Sequence, residues 1–188
     1  PAPARIIDET VVGATLGEEN VRGGLVSFAV ALVAVLLVMV SYYARAGWVA
    51  DIALLVNAFF LIGCMASVQA TLTLPGIAGI VLTIGMAVDA NVLINEKVRE
   101  ELKHGKGLKA ALDQAYGMQG ALSAIIDSNI TTFATGVILF YFGSGPIQGF
   151  ATTLMIGILT SLFTAIFISR LVMNRRLEQN KPITFWMN

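Results

Sequence analysis

The sequence predicts an all-α polytopic membrane protein with five transmembrane helices. Three observations carry that expectation. The 188 residues are 56% hydrophobic and only 13% charged, against roughly 45–50% apolar and about 25% charged in an ordinary soluble domain. The apolar residues are gathered into blocks, and a helix needs about 20 of them to cross the hydrocarbon core. The basic residues are gathered too, between some blocks and not others.

Residues 1–24, PAPARIIDETVVGATLGEENVRGG, read as the end of an external, periplasmic domain. RIIDETVV has strand-like composition, and GEENVRGG reads as a short helical lead-in. The bundle spans 25–173. Its blocks are LVSFAVALVAVLLVMVSYY (25–43), WVADIALLVNAFFLIGCMA (48–66), LPGIAGIVLTIGMAVDANVLI (74–94), NITTFATGVILFYFG (129–143) and IQGFATTLMIGILTSLFTAIFISRLVM (147–173). The fourth is short, so its helix is expected to begin a few residues earlier. Between the third and fourth lies a charged connector at about 95–127. Glu96, Glu100 and Lys103 recur at helical spacing, Gly105 and Gly107 break the helix, and Leu108, Ala111, Leu112 and Ala115 share one face of a second. This predicts a helical hairpin against the membrane surface. Residues 174–188 read as a tail or linker.

Lys and Arg near membrane segments favour the cytoplasm. If five segments alternate, one side holds Arg45, Lys97, Arg99, Lys103, Lys106, Lys109, Arg170, Arg175, Arg176 and Lys181, and the other only Arg5 and Arg22. The N-terminal end is therefore expected outside and the C-terminal end in the cytoplasm. An odd number of spans, a start at Pro1 without an initiator Met and no signal-peptide pattern imply that preceding spans and an external domain are missing. A net charge of zero carries no sign of nucleic-acid binding. Cys64 is alone, there is no CxxC or nucleotide-binding glycine loop, and His104, the single histidine, sits among charges. No metal and no cofactor are expected.

The third block raises the functional question, because GMAVDANVLI places Asp89 among apolar residues. A charge at the bilayer centre costs about 2.5–3.5 kcal/mol on insertion scales, so such a residue faces a bundle interior or a wet cavity. Apolar surroundings disfavour the charged form of a carboxyl, and a group that gains and loses a proton suits a relay. The residues alone leave a second reading open, an Asp near the interface satisfied by water or a hydroxyl. Gly85, one turn earlier, would let another helix approach, and Asn91 adds polarity. Asp127 opens the fourth span in DSNITT, with Thr131 and Thr135 following at helical spacing; it suits a cap or a structural role. Thr153, Thr160 and Thr164 recur in the fifth span. Such residues favour helix packing in lipid or line a hydrated path. In the second span Asp51 reads as interfacial and Asn57 as bonded to a neighbouring helix.

GMAVDANVLINEKVREEL resembles the SecD family of the bacterial Sec translocon. So do VADIALLVNAFF, PAPARI followed by VGATLGEENVRGGL, and the long run ALSAIIDSNITTFATGVILFYFGSGPIQGFATTLMIGILTSLFTAIFISR. The matches keep the family's order over nearly the whole chain. The resemblance implies five helices of a six-helix bundle of the resistance-nodulation-division type, entered just after a large periplasmic domain. It implies a membrane subunit that uses the proton-motive force to assist export across the bacterial inner membrane, not an enzyme. The implied partners are SecF, separate or fused, the SecYEG channel, YajC and YidC, the translocating preprotein and the lipid bilayer. The family's proton-coupling carboxylate in this motif falls on Asp89. Asn95, Lys97 and Gln148 depart from the family's usual aromatic, Arg and basic residues. Two other classes stay in view, a proton-driven exporter of small molecules or lipids and a scaffold that moves no protons.

Overall fold

The computed structural model describes residues 14–68 and 73–179, and only the backbone of 14–18 and 20. The strand-like stretch at 5–12 with Arg5, and the tail 181–188 with Lys181, lie outside the described residues. The chain folds as α1 (Ala14–Tyr43), α2 (Arg45–Ser67), α3 (Leu74–Lys103), α4 (Leu108–Ala115), α5 (Ala121–Phe142), α6 (Gly145–Phe163), a π turn (Thr164–Ile168) and α7 (Ser169–Glu178). Among the described residues, five helical rods are long and apolar enough to cross a membrane: Val21–Tyr43, α2, α3, α5, and the continuous rod Gly145–Glu178.

The boundaries differ from expectation where helices continue through polar sequence. The lead-in GEENVRGG is part of α1. The first arm of the expected hairpin is the end of α3, which runs 30 residues without a break. α5 begins at Ala121, eight residues before the apolar block. In each case the backbone keeps its own hydrogen-bond ladder, and helix once nucleated extends at little cost. Breaks come where the chemistry demands them. Thr73 accepts from the Gly76 amide at 3.1 Å ahead of Pro75, which starts α3. Gly105, at φ 81°, ends it in the left-handed conformation that glycine adopts without strain.

α3 is central. It packs between the α1–α2 hairpin and α6, and it runs parallel to α6. A Cβ at Gly79 would meet Phe150 and Thr153, and one at Gly157 would meet Thr83, so the register is Thr83 against Gly157. α1 is the least embedded rod. Val26, Val30, Val33 and Leu37 stand exposed along it, as lipid-facing residues do in a bilayer.

The predicted apolar face of α4 is real. Ala111, Leu112 and Ala115 are buried in one cluster with Val98 of α3, Ile125 of α5 and Met173 of α7. α4 thus caps the end of the bundle and does not lie apart from it. Glu101, nearly buried, holds the turn through Lys106 at 2.6 Å and Lys97 at 3.4 Å. Tyr116 donates to the Ser169 hydroxyl at 3.0 Å, and Arg170 lies over its ring while pairing with Asp113 at 3.5 Å. Burial pushes the Tyr116 phenol up to about 12, against smaller lowering effects from Ser169 and Arg170, so it stays a neutral donor at physiological pH. Tyr116→Phe should therefore cost about 1 kcal/mol by removing one buried bond, read as a lower unfolding midpoint in detergent. An unchanged midpoint would show that the bond contributes nothing.

Candidate functional site: the groove between α3 and α5

Asp89 lies on the side of α3 turned toward α5. With Met86, Ala90 and Leu93 it forms one wall of a groove of about 220 Å³, and Ile125, Ser128, Asn129 and Thr132 form the other. The groove is open, and Asp89 is exposed along it. Gly85 faces open space, with nothing within 4 Å of where its Cβ would be. Among the described residues no Lys, Arg or His nitrogen comes within 4.0 Å of the Asp89 carboxylate. It is a carboxyl without a counter-ion in a polar notch of an apolar bundle.

The α5 wall has a particular hydrogen-bonding character. The Ser128 hydroxyl donates to the Ile125 carbonyl at 3.1 Å, Asn129 Nδ2 donates to the same carbonyl at 2.7 Å, and the Thr132 hydroxyl donates to the Ser128 carbonyl at 3.0 Å. Both hydroxyl hydrogens are committed to the helix's own backbone, as is common for Ser and Thr in helices. The hydroxyl oxygens keep lone pairs free to accept, and the Asn129 amide keeps a second hydrogen free to donate. A protonated carboxyl carries one O–H donor and a carboxylate only accepts. The wall thus sets hydroxyl oxygens and an amide, acceptors and a donor, along the groove.

The other polar residues singled out from sequence do not converge there. Asp127, Thr131 and Thr135 are exposed on an adjacent strip of α5, where Thr131 donates to the Asp127 carbonyl and Thr135 to the Thr131 carbonyl. Asp127 caps nothing, because α5 starts at Ala121 and the carboxyl sits inside the helix. The residues facing Asp89 are the next ones along, Ser128, Asn129 and Thr132. The pattern DSNITT holds both sets. Only the register of α5 against α3, set by Ile125 and Ala121 in the core, says which faces inward. Thr153, Thr160 and Thr164 are buried on α6 and the π turn and donate to carbonyls within their own rod. Asn91 is buried on the opposite side of α3, its amide donating to Ala87 at 3.2 Å.

In the second span Asp51 is 3% exposed, covered by the neighbouring helices, with Oδ1 unpartnered. Asn57 is wholly buried and neither of its side-chain polar atoms has a hydrogen-bond partner. Asn95 is also buried without partners. Lys97 pairs with Glu100 at 2.8 Å, and Gln148 donates to the Phe140 carbonyl at 3.2 Å.

A carboxyl in this groove, on helices packed in this order, can be set beside known proteins. The family described as protein export membrane protein SecD/SecF, C-terminal, matches residues 2–178. The chain belongs to that family. It is 56% identical over 181 residues to the protein translocase subunit SecD of Rhodothermus marinus, covering 96% of this chain and 29% of that protein. It is 52% identical over 183 residues to the SecD subunit of Magnetococcus marinus, covering 95% of this chain and 34% of that one. The crystal structure of SecDF from Thermus, a translocon-associated membrane protein, superposes with a TM-score of 0.85 at 37% identity, over 91% of this chain and 24% of that one. The SecD/SecF chain described here thus spans about a third of the SecD relatives it matches. Its all-α membrane fold and its family are those the sequence implied.

Proposed function

We propose that this chain is the membrane part of a SecD-type subunit that assists protein export, and that Asp89 is its proton-coupling group. The carrying observation is the lone carboxyl in the α3–α5 groove, without a counter-ion among the described residues and facing the hydroxyls and amide of Ser128, Asn129 and Thr132. Taking up a proton removes the cost of a charge in apolar surroundings and so biases how α3 sits against its neighbours. The reaction is proton binding and release, with no covalent chemistry. The open face beside Gly85 and Asp89 suits a second helical bundle, the place a SecF-type partner would take, separate or fused. The SecYEG channel, YajC, YidC and the emerging preprotein complete the expected partners in a bacterial inner membrane. The experiment is in vitro export by the full-length protein with and without a proton gradient. A gradient-dependent gain supports the reading, and export indifferent to the gradient removes it. It also separates this reading from a scaffold, which would help equally without a gradient.

Orientation follows from the basic residues. Arg99 stacks over Tyr42 at 5.8 Å, and Lys97, Lys103 and Lys106 gather at the same end as α4. That end belongs in the cytoplasm. In a Cys64→Ser background, Ser67→Cys and Ser144→Cys should react with a membrane-impermeant reagent added outside intact cells, and His104→Cys should stay unlabelled. Labelling of the His104→Cys variant from outside would invert the topology.

A further inference from the structure

We propose that Asp51 is a second proton-binding site of this bundle, on a different seam from Asp89. The inference goes beyond the export reading and needs no role for Asp89. Asp51 lies on α2, 3% exposed, and its Oδ1 has no hydrogen-bond partner. Its neighbours along the helix fix its surroundings. Ala50 belongs to a cluster with Tyr43 of α1 and Val92 of α3. Leu54, one turn on, belongs to another with Leu36 of α1 and Ala87 of α3. Asp51 therefore sits in the seam of α1, α2 and α3, level with Val88–Asn91.

The seam offers it no charge. From α1 the titratable side chain is Tyr43. From α3, Glu96 is engaged with Arg99 at 3.4 Å, and Asp89 turns to α5. From α7, Arg170 is engaged with Asp113 and Tyr116. On α2 itself Arg45 is exposed six residues earlier. No cationic nitrogen among the described residues lies within 4.0 Å of Asp51.

A buried carboxylate without a cation is the costly form, and such a group neutralises by taking a proton. The hydrogen-bond inventory agrees. A carboxylate is acceptor-only, whereas the acid brings one O–H donor. At this level of α3 stands an unsatisfied acceptor, the buried Oδ1 of Asn91, whose amide is already donating to Ala87. One proton from the aqueous phase binds one carboxylate oxygen and turns an acceptor-only group into one that also donates. Release leaves a bare charge in the seam, which is relieved by parting α1, the least embedded rod, from α2 and α3 and admitting water. Proton occupancy of Asp51 and the seating of α1 are thereby linked.

The test is infrared spectroscopy of the full-length protein in lipid at neutral pH, following the C=O stretch of protonated carboxyls. Asp51→Asn, nearly isosteric, should lose one such band, and the same band should persist in Asp89→Asn. Asp51→Glu should keep a protonated-carboxyl band at a shifted position, which guards against loss of the fold in the Asn variant. An identical protonated-carboxyl spectrum in the unmodified protein and both Asp51 variants would overturn the proposal. Because the readout is protonation and not export, it stands or falls apart from the role of Asp89.

Discussion

Asp89→Asn in the full-length protein should reduce proton-gradient-stimulated export to the level seen without a gradient, while ATP-driven translocation continues. Asn is close to Asp in shape and still bonds, but it cannot ionise. The variant should fold and insert, since Asp89 makes no ion pair among the described residues and the change removes a charge from a membrane helix. Asp127→Asn should keep most of the stimulation, because that carboxyl lies off the groove on an exposed strip of α5. Both variants are compared in vitro at matched protein levels. Undiminished stimulation in Asp89→Asn would eliminate the relay and leave the scaffold standing.

Gly157→Ala should destabilise the bundle, against the ordinary preference for alanine in helices. Helix propensity alone would favour alanine by about 1 kcal/mol. Here the added Cβ would lie 2.5 Å from the Thr83 Cβ and 2.8 Å from its hydroxyl oxygen. Both are rooted in the α3 backbone, so α3 and α6 must part. Overpacking of this kind costs typically 1–3 kcal/mol, which exceeds the propensity gain. The expected result is a lower unfolding midpoint in detergent, with a larger fall for Gly157→Leu. Thr83→Gly should recover more of the loss in Gly157→Ala than Thr83→Ser, because serine drops the Cγ2 methyl that lies nearest the added Cβ but keeps the Cβ and the hydroxyl. A raised midpoint in Gly157→Ala would mean that the two helices are not held at this distance.

Periodicity and composition made the rods legible, and Asp89 stood out because one carboxyl in an apolar run needs a reason. The partners of Asp89 were not legible. DSNITT offers Asp127, Thr131 and Thr135 as readily as Ser128, Asn129 and Thr132, and a stripe of hydroxyls carries no mark of the neighbour it meets. Choosing between them takes the rotation of α5 about its axis, decided by Ala121 and Ile125 packing into the core. The ends of α3 and α5 were missed for a related reason. Hydropathy marks where lipid ends, whereas a helix stops where its backbone loses partners, as at Gly105. The burial of Asp51 was not legible either, because its place near Arg45 in the chain carries no mark of its neighbours. The folded helices of the seam cover it regardless.

The unbroken length of α3 makes it a lever. At 1.5 Å per residue its 30 residues reach about 45 Å, beyond a hydrocarbon core of about 30 Å. Asp89 is a fulcrum near the middle, and Lys103 lies 14 residues on, about 21 Å away. A tilt of about 10° at the carboxyl would sweep that tip through about 4 Å on the same helical geometry. α4 and its ion pairs are fastened to the tip, so a small adjustment around the carboxyl would be magnified into a displacement at the end of the bundle that α4 caps, large enough for a pair of spin labels to record.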